Sequence, residues 1–157
     1  VHYILNGERY DNIDCSELTR KKVVSVRALG SREEVFEHMT VGENLMLPSL
    51  EKISFWDYIR SSRNIRKMIL EENHNLKDVK AEGLGINERI QMTLERWYIF
   101  NPMVLILFEP FALCDVNGVD IVKKYVKKFS NNGATVIIVS TREEYIEDIS
   151  DQIIHIG

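Results

Sequence analysis

The sequence predicts an α/β domain built on a parallel sheet, and three observations carry that prediction. Residues 103–107 (M-V-L-I-L) form a short unbroken apolar run, the mark of a strand covered on both faces. In 118–129, Val119, Val122, Val126 and Phe129 recur at helical spacing, with Ile121 and Tyr125 widening the stripe. Residues 135–139 (T-V-I-I-V) are a second apolar, β-branched run, and N-N-G at 131–133 stops the helix before it. Strand, helix and strand thus follow one another within roughly one βαβ unit of about 35 residues. The two strands are expected to be parallel, joined by a right-handed crossover.

The remaining elements are read in chain order. Residues 1–5 and 23–26 have strand character, and Asn6-Gly7 between 1–5 and a polar segment predicts a hairpin turn. That pair reads as a small antiparallel piece at the edge of the sheet. The middle of the chain is helical in character: 56–72 opened by Ser54 as a cap, then 88–100 stopped by Asn101-Pro102. A polar stretch, 73–87, lies between them and holds Gly83 and Gly85. T-R-E-E at 141–144 reads as a capping box opening a further helix, and 153–156 as a closing strand. The whole is one domain over 1–157 with a helical insertion at about 48–97.

Composition narrows the function classes. At 157 residues, 45% hydrophobic and 28% charged, the sequence fits a globular domain and excludes disorder, collagen and coiled coil. A net charge of -4 gives no electrostatic footprint for nucleic acid, so none is expected as a partner. The two cysteines, Cys15 and Cys114, are too few for a disulfide framework and fit a reducing interior. No apolar run approaches the roughly 20 residues that span a bilayer, and no signal-peptide pattern opens the chain. A soluble, cytoplasmic protein is expected, and the start at Val1 rather than Met suggests a trimmed piece.

Most familiar chemistries are missing. His2, His38, His74 and His155 are scattered and none has metal-ligand spacing to a cysteine or carboxylate, so no metal site is expected. Cys114 has no adjacent His or Lys to lower its pKa and reads as a small buried hydrophobe. No G-x-S-x-G or H-E-x-x-H occurs, and none of the eight glycines precedes a lysine as a phosphate-cradling loop requires. Lys123, Lys124, Lys127 and Lys128 read as the solvated face of the 118–129 helix. Glu109 remains, directly after a buried parallel strand, where open α/β sheets place their working groups. Position alone leaves two roles open: a general base that orients water, or a carboxylate capping nearby backbone N–H groups.

Several segments resemble one family in order and spacing. N-P-M-V-L-I-L-F-E-P at 101–110 resembles the N-P-x-x-L-I-L-D-E-P Walker B strand of ABC-transporter ATPases, with its terminal catalytic Glu. M-T-V-G-E-N at 39–44 is similar to the run that follows their Q-loop, and E-R-W at 95–97 resembles the A-R-W of the helix after their signature motif. Asp115 falls on the D-loop aspartate and S-D-Q-I at 150–153 on the closing S-D-R-I strand. Thr141 stands where most members carry a switch His, and with A-R-W this points to the second ATPase half of ribose/galactose-type sugar importers. The resemblance implies a P-loop-NTPase-like core with ATP and Mg²⁺ as ligands. It also implies a membrane permease subunit and a second ATPase domain as partners, at the inner face of the cell membrane.

The departures imply a degenerate portion that does not hydrolyse ATP by itself. The family's Walker A loop has its place upstream of Val1. Its Q-loop residue falls near Ala28 or Ser31, neither of which reaches a metal or water. The signature L-S-G-G-x-Q lands on 84–89, keeping Leu84 but putting Gly85 for Ser, Ile86 and Asn87 for the glycines, and Glu88-Arg89 behind them. Phe108 replaces the magnesium-orienting Asp. The resemblance therefore assigns Glu109 the retained catalytic position, and Leu84, Gly85, Asn87, Asp115 and Thr141 the nucleotide-binding positions. The docking surface for the permease maps to about 27–80, with Phe36, Phe55, Trp56 and Tyr58. An alternative reading is a catalytically silent interaction or regulatory module. An unrelated doubly wound enzyme fits the ordered motifs poorly.

Overall fold

Three parallel strands carry the domain: β3 (Val23–Arg27), β4 (Val104–Phe108) and β5 (Thr135–Val139), in the order β3-β4-β5. This is a computed structural model, and it describes residues 2–5, 7–11, 15–49 and 80–156. The helix expected over 56–72, its cap Ser54, and Phe55, Trp56 and Tyr58 lie outside the described residues, as does most of the 48–97 insertion. So does the polar stretch as far as residue 79.

The expected βαβ unit is present. β4 leads through α4 (Val116–Asn131; α3 is introduced below) into β5, and Val104 pairs with Thr135 while Phe108 pairs with Val139. β3 lies on the other side of β4, with Val23 opposite Val104 and Arg27 opposite Phe108. The apolar run is therefore the centre of the sheet. One face is sealed: Val24, Val26, Leu105 and Leu107 are buried with Ile90, Leu94, Val122, Val126 and Phe129 in one core. The opposite face is not sealed by the described residues, contrary to the expectation for 103–107. Val104, Ile106 and Phe108 are half-buried there, and Ile137 and Val139 are exposed. Alternation sets the difference, because successive side chains of one strand point to opposite faces.

The N-terminal hairpin also forms, with β1 (His2–Leu5) antiparallel to β2 (Glu8–Asp11) and Leu5 opposite Glu8. Gly7 takes a φ of 82°, as a tight hairpin turn demands. It makes a two-stranded sheet of its own rather than an edge of the parallel sheet. A short helix, α1 (Cys15–Arg20), follows and leads to β3 through Lys22 in the left-handed region.

α2 (Val41–Met46) opens on a complete capping box, with the Thr40 hydroxyl taking the Glu43 N–H and the Glu43 carboxylate taking the Thr40 N–H. α3 (Ile86–Phe100) starts two residues before the predicted 88 and ends where predicted. Asn101 stops it at φ 55°, its N–H bonded to the Trp97 and Tyr98 carbonyls, as a left-handed cap does. α3 is shared by two cores. Ile90, Leu94 and Phe100 enter the main one, while Met92 joins Val35, Val41, Leu45, Met46, Ala81 and Leu84 in a smaller one.

Two predicted elements at the C-terminal end do not form. The expected helix after Thr141 is a single 3-10 turn, Glu143–Tyr145, opening on Arg142 with no side-chain cap. Its first donors are already engaged: Glu109 takes the Thr141 N–H and the Ser140 hydroxyl takes the Arg142 N–H. Residues 153–156 are not a strand, and Ile154 and Ile156 are 74% and 90% exposed. An apolar run makes a strand only when it pairs, and 153–156 does not pair with β5, the edge strand of the described sheet. The lysine face is corrected in part. Lys124 and Lys127 are exposed, but Lys123 bonds Asp148 at 2.6 Å, and Lys128 lies over the Tyr98 and Tyr125 rings beside Glu95.

Candidate functional site

The predicted site residues fall into two groups at the C-terminal end of the sheet. The first is built on the ends of β4 and β5. Glu109 follows β4 directly, at a φ of 44° that few non-glycine residues adopt, and its N–H bonds the Val139 carbonyl at 2.8 Å. That conformation turns the side chain toward the end of β5. One carboxylate oxygen accepts the Thr141 N–H at 2.8 Å and the other accepts the Ser140 hydroxyl at 3.2 Å. Of the two roles that position leaves open, the geometry contains the capping one. Thr141 takes part through its backbone.

Phe108 ends β4 one residue earlier, opposite Arg27 of β3. The Arg27 guanidinium carbon sits 5.6 Å from the ring centroid, a cation–π distance. After Arg27 the chain turns sharply, with Ala28 at φ 47°, Gly30 at φ 87°, and the Ser31 N–H on the Ala28 carbonyl. A Cβ on Gly30 would meet Ile90 Cγ1 at 2.7 Å, so this turn needs glycine for space as well as for φ. The Ser31 hydroxyl is buried and has no partner among the described residues.

The second group joins the starts of α3 and α4. Leu84 is buried in the smaller core, so it anchors the segment 84–89 rather than presenting it. Gly85 precedes α3, and its N–H is taken by the Glu88 carboxylate at 2.8 Å. Glycine has no hydroxyl to return the bond, so only half of a capping box forms. The Asn87 amide donates to both oxygens of Asp115, each at 3.1 Å. Asp115 is the N-cap of α4 and accepts the Gly118 N–H at 2.7 Å. That backbone bond, and then the Asn87 amide, hold its carboxyl below the ordinary Asp range. Arg89 donates to the Gly30 and Leu84 carbonyls at 2.9 and 2.6 Å.

Between the groups lies Cys114, half-buried, its Sγ donating to the Pro110 carbonyl at 3.3 Å. Burial pushes its thiol up to about 11, with the adjacent Asp115 charge adding to the rise and Arg142 opposing it. At pH 8 roughly one molecule in a thousand is then thiolate, against about a quarter for an unperturbed cysteine. Alkylation by iodoacetamide at pH 8 is expected to be about 100-fold slower than for free cysteine, with peptide mapping separating Cys114 from Cys15. A rate equal to that of free cysteine contradicts the upward shift of the thiol.

A polar hub that sequence reading missed joins α2 to α3. Asn44 is fully buried in α2; its amide donates to the Phe36 and Thr40 carbonyls, and its oxygen accepts the Phe36 N–H. Arg96 reaches it from α3, giving Nε to the Asn44 carbonyl, one terminal nitrogen to its side-chain oxygen and the other to the Glu34 carbonyl. Burial presses the Arg96 guanidinium down from its usual range, and Glu34 partly offsets it. The hub fixes the loop that carries Phe36, which is 56% exposed beside Arg32, Glu37 and His38. Among the described residues no helix is long and apolar enough to cross a membrane. No cluster of His, Cys, Asp and Glu there could hold a metal ion.

The same arrangement of parallel strands and flanking helices recurs in a solved ATP-binding cassette of an ABC transporter, in its ADP conformation. The TM-score is 0.72 over 94% of this chain and 62% of that one, at 19% identity. The fold is that of an ABC ATPase domain. No family model matches the sequence. Among curated proteins, the ribose import ATP-binding protein RbsA of Geobacillus kaustophilus is 29% identical over 121 residues, 73% of this chain and 24% of that protein. The xylose import ATP-binding protein XylG of Escherichia coli is 24% identical over 156 residues, 96% of this chain and 30% of that protein. This chain thus resembles the ATP-binding proteins of sugar importers, and it spans less than a third of the length of the curated relatives it matches.

Proposed function

We propose that this chain is a portion of the ATP-binding component of an ABC-type sugar importer, and that this portion does not hydrolyse ATP by itself. The observation that carries the second half is the state of the β4 end. The one carboxylate at the catalytic position has both oxygens engaged, on the Thr141 N–H and the Ser140 hydroxyl. Beside it, Phe108 offers a ring under Arg27 where a metal-bound water would need an acceptor. The described residues do not fit a magnesium ion, so no step is derived through one. A triphosphate needs several compensating donors and a cation. The half-capped Gly85 and the Asn87 amide spent on Asp115 leave the 84–89 segment little to offer it.

On this reading the chain works as a fixed half beside a second, competent ATPase domain, docked on a membrane permease at the inner face of the cell membrane. The exposed Phe36 loop is the described part of the docking surface. The sugar-importer relatives support this over a free-standing silent module, which shares the inert site but has no permease. Calorimetric titration of the isolated chain with Mg-ATP is expected to show no micromolar binding, and Glu109→Gln is expected to leave its phosphate release at background. Micromolar binding, or turnover that Glu109→Gln abolishes, overturns the proposal.

A further inference from the structure

α3 and α4 run side by side and in the same direction, and polar side chains join them at three levels. At the start, Asn87 donates to both Asp115 oxygens at 3.1 Å. In the middle, Glu95, 6% exposed, accepts the Tyr125 hydroxyl, and Lys128 approaches the same oxygen at 3.4 Å. At the end, the Asn132 amide donates to the Asn101 side-chain oxygen at 2.8 Å. Lys128 also lies 4.3 Å from the Tyr98 ring centroid, and Tyr98 packs edge-on against Phe129 at 5.5 Å.

The middle link is costly. A nearly buried carboxylate loses hydration, and the second Glu95 oxygen has no partner among the described residues. The Asn87 oxygen is likewise buried and has no partner among the described residues. Apolar side chains at 87 and 95, with phenylalanine at 125, avoid both penalties, so packing alone does not call for these polar residues. Bonds of this kind select one geometry between two helices where apolar contact tolerates sliding.

We propose that Asn87 and Glu95 are positioning residues that lock α3 to α4, so that the smaller core moves only with the sheet. α3 carries that smaller core on one side and Arg96, with the 34–44 segment, on the same helix. Fixing α3 therefore fixes the Phe36 loop and the 84–89 segment relative to β4. The inference goes beyond the proposed function, because it holds whether or not nucleotide binds.

Native-state hydrogen exchange on the whole chain, read residue by residue, tests it. Alanine is the best helix former, so Asn87→Ala and Glu95→Ala strengthen α3 intrinsically and cannot loosen it through propensity. The double variant is expected to exchange its α3 amides about tenfold faster, with β4 and β5 amides unchanged, as for a unit released from its neighbour. Tyr125→Phe, which keeps the ring and removes the hydroxyl, is expected to move α3 in the same direction and serves if the double variant does not fold. In a double-mutant cycle, Glu95→Ala and Tyr125→Phe are expected to be non-additive. Acceleration of α3 and β4 together, an unchanged α3, or an additive cycle each overturns the lock.

Discussion

Replacing Asn44 with alanine is expected to cost about 3 kcal/mol, because buried groups left unpaired cost about 1–3 kcal/mol each. The side chain has no exposed surface, and its loss strands the Phe36 N–H and one terminal nitrogen of Arg96, while the Phe36 and Thr40 carbonyls keep their backbone partners. The Arg96 nitrogen matters most, since a buried cationic nitrogen loses its acceptor while the Asn44 and Glu34 carbonyls still hold the rest of the guanidinium in place. Arg96→Lys is expected to be nearly as harmful, for an ammonium cannot span the Asn44 carbonyl, the Asn44 side chain and the Glu34 carbonyl with a planar fork. Urea unfolding measures both variants. A loss below about 1 kcal/mol for Asn44→Ala, no more than one ordinary hydrogen bond, contradicts the hub.

Phe129→Ala is expected to cost about 3–5 kcal/mol, the range for emptying a buried aromatic site. Phe129 is 1% exposed at the end of α4 and carries the edge contact from Tyr98, so its removal opens the core between both helices and the sheet. For a chain of this size the melting temperature falls by roughly 10 °C or more. The urea midpoint should drop with little change in slope, as befits a cavity rather than a change in the unfolded chain. A fall of less than about 1 kcal/mol means that α4 can collapse onto the gap and that the core is not as close-packed as its burial indicates.

Much of the framework was legible because it is local. The 103–107 run, the valine stripe of α4 and the N-N-G stop each specify their element within a few residues, and the sheet follows from the βαβ rule. The single sealed face was not legible, since an all-apolar strand reads the same whether one face or two is covered. The two C-terminal errors both come from local templates: T-R-E-E loses its donors to Glu109 and Ser140, and I-I-H-I at 153–156 does not pair with the sheet, although β5 lies at its edge.

The site divides in the same way. Asp115 and Glu109 stand out by position, yet what they bond to comes from far along the chain: Asn87 for one, Ser140 and Thr141 for the other. Thr40 and Glu43 stand at capping-box spacing, a local signal that the reading of 39–44 as a family segment passes over and that the structure uses. The bond from Asn44 to Arg96 was not readable, because nothing in one sequence links positions 52 residues apart.

The placing of β3 beside β4 has a kinetic consequence. β4, α4 and β5 are consecutive, so they can assemble by closing only short segments. β3 must instead find β4 across everything between residues 27 and 104, and closing so long a segment forfeits chain entropy before any pairing repays it. Refolding is therefore expected to start from the C-terminal unit, with the pairing of β3 to β4 coming after it.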